Sequence, residues 1–221
     1  MNDVFAFWGE WFPTLVAGFE LSLEVTVVCL LFGLPLGLLL ALGVQSKSRA
    51  QRWTSLTLVE IGRGTPVLIL LQFAYFGLPS AGLTLSSFTA AGFALAWCTG
   101  AYTSEIIRAG LEAVPFGQRE AAIAIGLDQR DVLRYVILPQ GLRVAVPALL
   151  GFAILMLQAT SLCFTIALPE VVSQAYIVGS NTFRYMPIFL LTAMMFAAVC
   201  IPATICVSVL ERRLGRHEAV P

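Results

Sequence analysis

Charged residues are scarce in this 221-residue chain: they make up 12% of it, and 58% of its residues are hydrophobic. With a mean hydropathy of +0.87, that scarcity excludes an ordinary soluble domain, where about a quarter of residues are charged, and it reads as an integral membrane protein. The net charge is zero and no basic block occurs, so no nucleic acid partner is nominated. Lysine is rarer still. The one lysine, Lys47, follows Ser46, whereas a phosphate-binding P-loop needs its lysine after glycine. The chain therefore has no nucleotide site of that kind of its own.

Catalytic constellations are missing as well. Neither H-E-x-x-H nor G-x-S-x-G occurs, and the only histidine, His217, stands alone in a polar tail where it reads as solvated. No catalytic residue is nominated, and the chain reads as a non-enzyme. The five cysteines, Cys29, Cys98, Cys163, Cys200 and Cys206, lie apart in apolar stretches; small core hydrophobes fit them better than a disulfide framework or a metal site. Nor is there a basic n-region ahead of Lys47, so a cleavable signal peptide is not expected.

What is present is a set of long uncharged runs. Val25 to Val44, Val144 to Pro169 and Tyr185 to Leu210 each suffice for one helix across a hydrocarbon core that needs about 20 residues. Gly64 to Ser104 is roughly twice that requirement, and Pro79-Ser80-Ala81-Gly82 interrupts it with turn-forming residues. The expectation is a single all-α, polytopic membrane domain over 1–221 with about five spans, roughly 14–44, 54–78, 84–107, 144–168 and 186–210. Lys47, Arg49 and Arg52 follow the first span, Arg108, Arg119, Arg130, Arg134 and Arg143 the third, and Arg212, Arg213 and Arg216 the fifth. The positive-inside rule makes that side cytoplasmic, with the N-terminus outside and the C-terminus inside. Val4 to Trp8 and Trp11-Phe12 then supply aromatics to the outer interface.

The segment 108–143 is too polar for lipid, and its charge is mixed, with Glu112, Glu120, Asp128 and Asp131 beside the arginines. A loop serving only anionic lipid would be more one-sidedly basic, so a protein partner fits better. Pro115 is placed near the first turn of a short helix, Gly126 to end it in a left-handed conformation, and Asp128 to cap a second helix. In that second helix Val132, Leu133, Val136 and Ile137 share a face, and Pro139 is expected to stop it. The result is a rigid knob whose tip alanines let another surface come close while the apolar face packs back on the spans.

Glu120-Ala121-Ala122, Gly126, Val136 and Leu138-Pro139 resemble the E-A-A…G…I-x-L-P signature of permease subunits of bacterial ABC importers, with Val136 where isoleucine is usual. Arg63-Gly64-Thr65-Pro66, Ala101-Tyr102-Thr103-Ser104-Glu105-Ile106, Val114-Pro115-Phe116-Gly117-Gln118, Leu168-Pro169-Glu170 and Asn181-Thr182-Phe183-Arg184 carry the resemblance almost end to end, to the polar amino acid and opine uptake family. The resemblance implies a type I importer permease in the cell inner membrane, forming half of a translocation path for a polar or charged amino acid or opine-like solute. Two such subunits, identical or homologous, would be driven by an ATPase dimer that binds the ATP and magnesium, with no cofactor in this chain. An extracytoplasmic solute-binding protein would deliver the solute. It nominates Gly117, Glu120, Ala121, Ala122, Gly126, Leu138 and Pro139 for contact with the ATPase. The alternative is an ATP-independent secondary transporter or channel, although no internal duplication of the kind common in such carriers is evident.

For the solute, the resemblance points to Cys98, Tyr102, Gln158, Ala159, Thr160 and Ser161. Many family members resemble K-D-T-S-L at 158–162 and carry asparagine at 98; here Ala159 and Cys98 replace those polar groups. The expectation is a homologous, non-identical partner permease that supplies the main ligands. Elsewhere Glu60 with Arg63, and Glu105 with Arg108, are spaced to pair on one helix face. Glu20 and Glu24, near the outer end of the first span, are expected on a solvated face.

Overall fold

A computed structural model describes residues 2–215; Arg216 and His217 lie outside them. The chain begins with α1 (Asn2–Val44), a helix much longer than one span, which passes through Pro13 and Pro35 without stopping. After a short turn comes α2 (Arg49–Gly64), and then α3 (Val67–Gln72), extended by a π turn over Phe73–Gly77 and a 3-10 turn over Leu78–Ala81. These do not form the single helix expected over 54–78. The chain bends by 104° between them, because Pro66 excludes the α conformation from the residue before it and Thr65 is extended, at φ −94° and ψ 128°.

α4 (Ser87–Glu112) is the centre of the molecule, and more than half of its 26 residues are buried. It runs beside α1 in the same direction, and the contact is close because the facing residues are small. Cβ atoms built on Gly33 and Gly37 would lie 2.5 Å from Thr99 Cβ and 2.1 Å from Thr103 Oγ1, so only glycine permits this approach of the two helices. Three described helical stretches are long and apolar enough to cross a membrane: Asp3–Val44, Gln129–Ile166 and Tyr185–Leu214; the bent α2–α3 pair makes a fourth. α4 has the length, about 39 Å at 1.5 Å per residue, but is less apolar. Its alanine, glycine, serine and threonine face other helices, so lipid does not set its composition.

The remaining elements are α5 (Phe116–Ala124), α6 (Gln129–Asp131), α7 (Leu138–Ala159), α8 (Val171–Thr182) and α9 (Tyr185–Gly215). Pro139 does not end the helix that Asp128 starts. A π segment over Val132–Ile137 carries α6 into α7, and a 3-10 segment over Thr160–Ile166 prolongs it, so that one helical path runs from Gln129 to Ile166. A π turn widens the ladder just where a proline ring and its missing N–H would otherwise break it. The apolar run that starts at Val144 is therefore the upper part of a longer rod rooted in the polar segment.

The N-terminal aromatics do more than mark an interface. Phe7 is buried, Trp8 Nε1 donates to the Pro187 carbonyl at 2.9 Å, and Arg184 both pairs with Asp3 and lies 4.8 Å over the Phe7 ring. The start of α1 thereby clasps the α8–α9 turn, while Phe5 and Phe12 stay exposed. Glu20 and Glu24 are both exposed. The cysteines Cys29, Cys98, Cys163 and Cys200 are buried free thiols and Cys206 is exposed. No group of metal-ligating side chains gathers among the described residues.

Candidate functional site

The polar segment folds as a short outrigger on α7. α5 begins directly after Pro115 and ends in a Schellman turn: Leu127 N–H donates to the Ala122 carbonyl at 3.1 Å, and Gly126 N–H to the Ile123 carbonyl at 2.9 Å. Gly126 has φ +90°, a conformation that costs other residues about 1–2 kcal/mol. Asp128 then caps the next helix, its carboxylate accepting from the N–H groups of Arg130 and Asp131 at 2.8 Å each. Underneath, Ala122, Val132 and Ile137 pack with Ala41, Ile107 and Leu111, which seats the outrigger on α1 and α4.

This geometry sorts the nominated contact residues. Gly117, Glu120, Ala121 and Gly126 are exposed on the free side, as is Pro139; Leu138 is half-buried. Ala122 departs from expectation, because at 4% exposure it belongs to the packed underside and not to the tip. Sequence reasoning missed three exposed apolar neighbours, Phe116 (70%), Ile123 (52%) and Ile125 (80%). Their signal was available: on a polar segment, apolar residues that do not join the buried face are free for another surface.

Above the outrigger, Arg63 crosses from α2 to α4. Its guanidinium lies 3.8 Å from Glu105, and Arg108 pairs with Glu105 at 2.7 Å and with Glu112 at 2.8 Å. The expected Glu105–Arg108 pair is present, but Arg63 turns to Glu105 and not to Glu60. Helix α2 ends at the bend, which aims Arg63 at the neighbouring helix. Tyr102 joins this network, donating from its hydroxyl to the Arg63 carbonyl at 3.3 Å and stacking on Phe152 of α7 at 5.6 Å.

The six solute candidates do not converge. Cys98 and Thr160 are fully buried, Thr160 donating its hydroxyl to the Leu157 carbonyl at 2.6 Å; Ala159 leans on the α4 core, and Tyr102 serves Arg63. Only Gln158 and Ser161 share an opening, a hollow of about 380 Å³ between α7, α8 and α9, whose other walls include Phe164, Phe189, Thr192 and Phe196. Those four were invisible in sequence because they read as ordinary apolar span. Glu170 lies at the start of α8. Fully buried, it accepts from the N–H groups of Val172 and Ser173 at 2.9 and 2.8 Å and so starts α8. Burial pushes its carboxyl from 4.5 up to about 7, against the lowering effect of those hydrogen bonds.

Residues 33–216 match the family model described as binding-protein-dependent transport system inner membrane component. A probable amino-acid ABC transporter permease of Bacillus subtilis (strain 168) is 34% identical over 208 residues, 94% of this chain and 92% of that one. The L-cystine transport system permease protein TcyB of the same organism is 35% identical over 215 residues, 97% and 90% of the two chains. Among solved structures, an amino acid ABC transporter crystallised with histidines superposes with a TM-score of 0.89 at 33% identity, covering 95% of this chain and 98% of that one. The methionine transporter MetNI, inward facing, shares the fold, with a TM-score of 0.75 at 20% identity over 93% and 98% of the two chains.

Proposed function

Because the chain belongs to the binding-protein-dependent transport system inner membrane components, we propose that the exposed side of α5 is the surface through which a separate ATPase drives it as half of an amino acid pore. The protein is a membrane-embedded permease subunit of an ABC importer, a transport subunit and not an enzyme. One observation carries the coupling role: Phe116, Glu120 and Ile123 stand exposed on a short helix, with Ile125 just past its end, while Ala122 of the same helix is buried in a cluster with residues of α1, α4 and the π segment before α7. Force applied there reaches the α7 rod through the packing of α5 on the π segment and through the Gly126 turn.

In this reading five spans cross the membrane, with α4 as the third, and the N-terminus outside. Arg49 and Arg52 beside the α1–α2 turn and the arginines of 108–143 then face the cytoplasm. ATP and magnesium bind in a partner ATPase dimer, and an extracytoplasmic binding protein delivers the solute. The relatives' names, amino-acid and L-cystine permeases, support an amino acid cargo. A second, homologous and non-identical permease completes the path and supplies ligands that Cys98 and Ala159 cannot.

The test is capture of the ATPase. Purified complex carrying Glu120→Arg is expected to retain at most about a tenth of the ATPase, an effect of the size found when charged contacts at an interface are broken, with the permease still monodisperse. Full retention together with undiminished solute-stimulated ATP hydrolysis would sink the assignment of α5. For the second permease, transport by this subunit and the ATPase alone, with the binding protein present, would count against a non-identical partner.

A further inference from the structure

We infer that a groove between α1, α2 and α4 seats one acyl chain of a phospholipid, and that Glu20 and Glu24 select a headgroup bearing an ammonium. The groove, of about 620 Å³, is lined by Val28, Phe32, Leu36 and Leu40 of α1 and by Phe93 and Trp97 of α4. Its polar side-chain atoms are already engaged: Trp97 Nε1 donates to the Leu58 carbonyl at 3.3 Å, and Thr89 Oγ1 shares a hydrogen bond with Ser86 Oγ at 2.9 Å. The wall therefore suits a hydrocarbon and offers nothing to a polar solute. From Val28 to Leu40 the track is about 18 Å long at 1.5 Å per residue. Below it α2 crosses, with Leu58 in the wall and Ser55 against Gly43, where a Cβ would lie 2.2 Å from the serine Oγ.

That length decides between occupants. A helix of another subunit needs about 30 Å to span the hydrocarbon, and α2 stops it short. An acyl chain reaches only the bilayer middle, about 15 Å, and ends within the groove. Helix partners also seek small facing residues, whereas Phe32 and Phe93 stand 64% and 50% exposed here. The mouth supplies the charge. Glu20, Glu24, Val28 and Phe32 follow one another at four-residue intervals, so the carboxylates continue the row that forms the α1 wall. Val28 lies against Gly92 and Leu36 against Gly100, which brings Glu24 level with the first turn of α4. Glu24 is also the last charged residue before the uncharged run Val25 to Val44, at the depth where headgroups begin. Both glutamates are exposed, and neither forms an ion pair among the described residues. Like charges four residues apart repel; an ammonium beside them relieves that repulsion, and a headgroup of net negative charge adds to it.

Trp97 reports on the groove directly. The full-length protein is placed in nanodiscs of phosphatidylethanolamine and phosphatidylglycerol in equal parts, with brominated acyl chains on one lipid or the other. Quenching of Trp97 is read as the difference from Trp97→Phe; should that variant not fold, Phe32→Trp, at an exposed position of the same wall, supplies the signal instead. Occupancy read from quenching is expected to favour phosphatidylethanolamine about fivefold, the scale of one charge facing a headgroup. Glu20→Gln combined with Glu24→Gln, and separately about 1 M salt on the unaltered protein, should each make the two lipids equal while quenching persists. Equal quenching by both lipids in the unaltered protein at low salt overturns the selection of an ammonium. Absence of quenching by either lipid shows the groove filled by protein, a second permease included, and overturns the inference whole. A preference that survives both the paired substitutions and the salt overturns the role given to the glutamates.

Discussion

Gly37 and Gly117 stand at opposite extremes of crowding. A Cβ on Gly37 would lie 2.1 Å from Thr103 Oγ1, inside the α1–α4 contact, whereas one on Gly117 would meet nothing within 4 Å. The first glycine serves the fold by its absent side chain. The second has no such duty among the described residues. The difference separates two kinds of region. In the α1–α4 contact, space is already filled by the protein itself; beside Gly117 on α5, the described residues leave it open.

The comparison breaks most visibly at Gly37. Gly37→Leu is expected to push α1 off α4, cost about 3 kcal/mol or more, and abolish recovery of monodisperse protein in detergent. Normal recovery and an unchanged melting temperature would show that the contact is softer than its distances indicate. Next comes Gly126→Ala. At φ +90° the methyl group costs about 1–2 kcal/mol, confined to the outrigger, so the melting temperature should fall little while solute-stimulated ATP hydrolysis drops. A large fall in melting temperature with coupling intact would reverse the roles of the two regions.

Glu170 lies between these extremes, a filled site whose content can change charge. Its carboxyl titrates near 7 in the folded protein against 4.5 ordinarily, so the folded state binds the extra proton. Its contribution to stability is therefore greatest below about 4.5, falls as pH rises towards about 7, and is level beyond. Amide exchange of Val172 and Ser173, compared at equal intrinsic rate, should quicken across that window, and Glu170→Gln should flatten the change. The smallest effect belongs to Gly117→Ala. Stability should stay within about 0.5 kcal/mol, and any loss of ATPase capture then reads directly as a partner surface pressed against that position.

Local signals were legible in the sequence and cross-helix ones were not. Gly126 and Asp128 act on their own backbone within a few residues, so their roles could be read from spacing alone. Arg63 could not be read so. Glu60 at i−3 is an adequate partner in one dimension, and only the bend at Pro66 brings Glu105 within reach. Pro139 misled for a related reason: its rule presumes an α-helix, and the π turn before it removes the clash. The number of spans was suggested by runs of apolar residues, yet α4, with more than half of its residues buried, is less apolar than α1, α7 and α9. In the hollow, Gln158 and Ser161 stood out as polar residues in a span, while Phe189 and Phe196 differ from lipid-facing phenylalanines only by what they face.

The composition of α4 reaches beyond the finished structure to the moment of synthesis. A segment of alanine, glycine, serine and threonine gains little from lipid, so on leaving the ribosome it has a weak claim on the bilayer by itself. α1, made first, offers the glycine-lined surface that α4 needs. We therefore expect α4 to enter the membrane by joining α1, which is made first. A truncated chain lacking α1 should leave α4 uninserted in a glycosylation-mapping assay, even though every residue of α4 is intact.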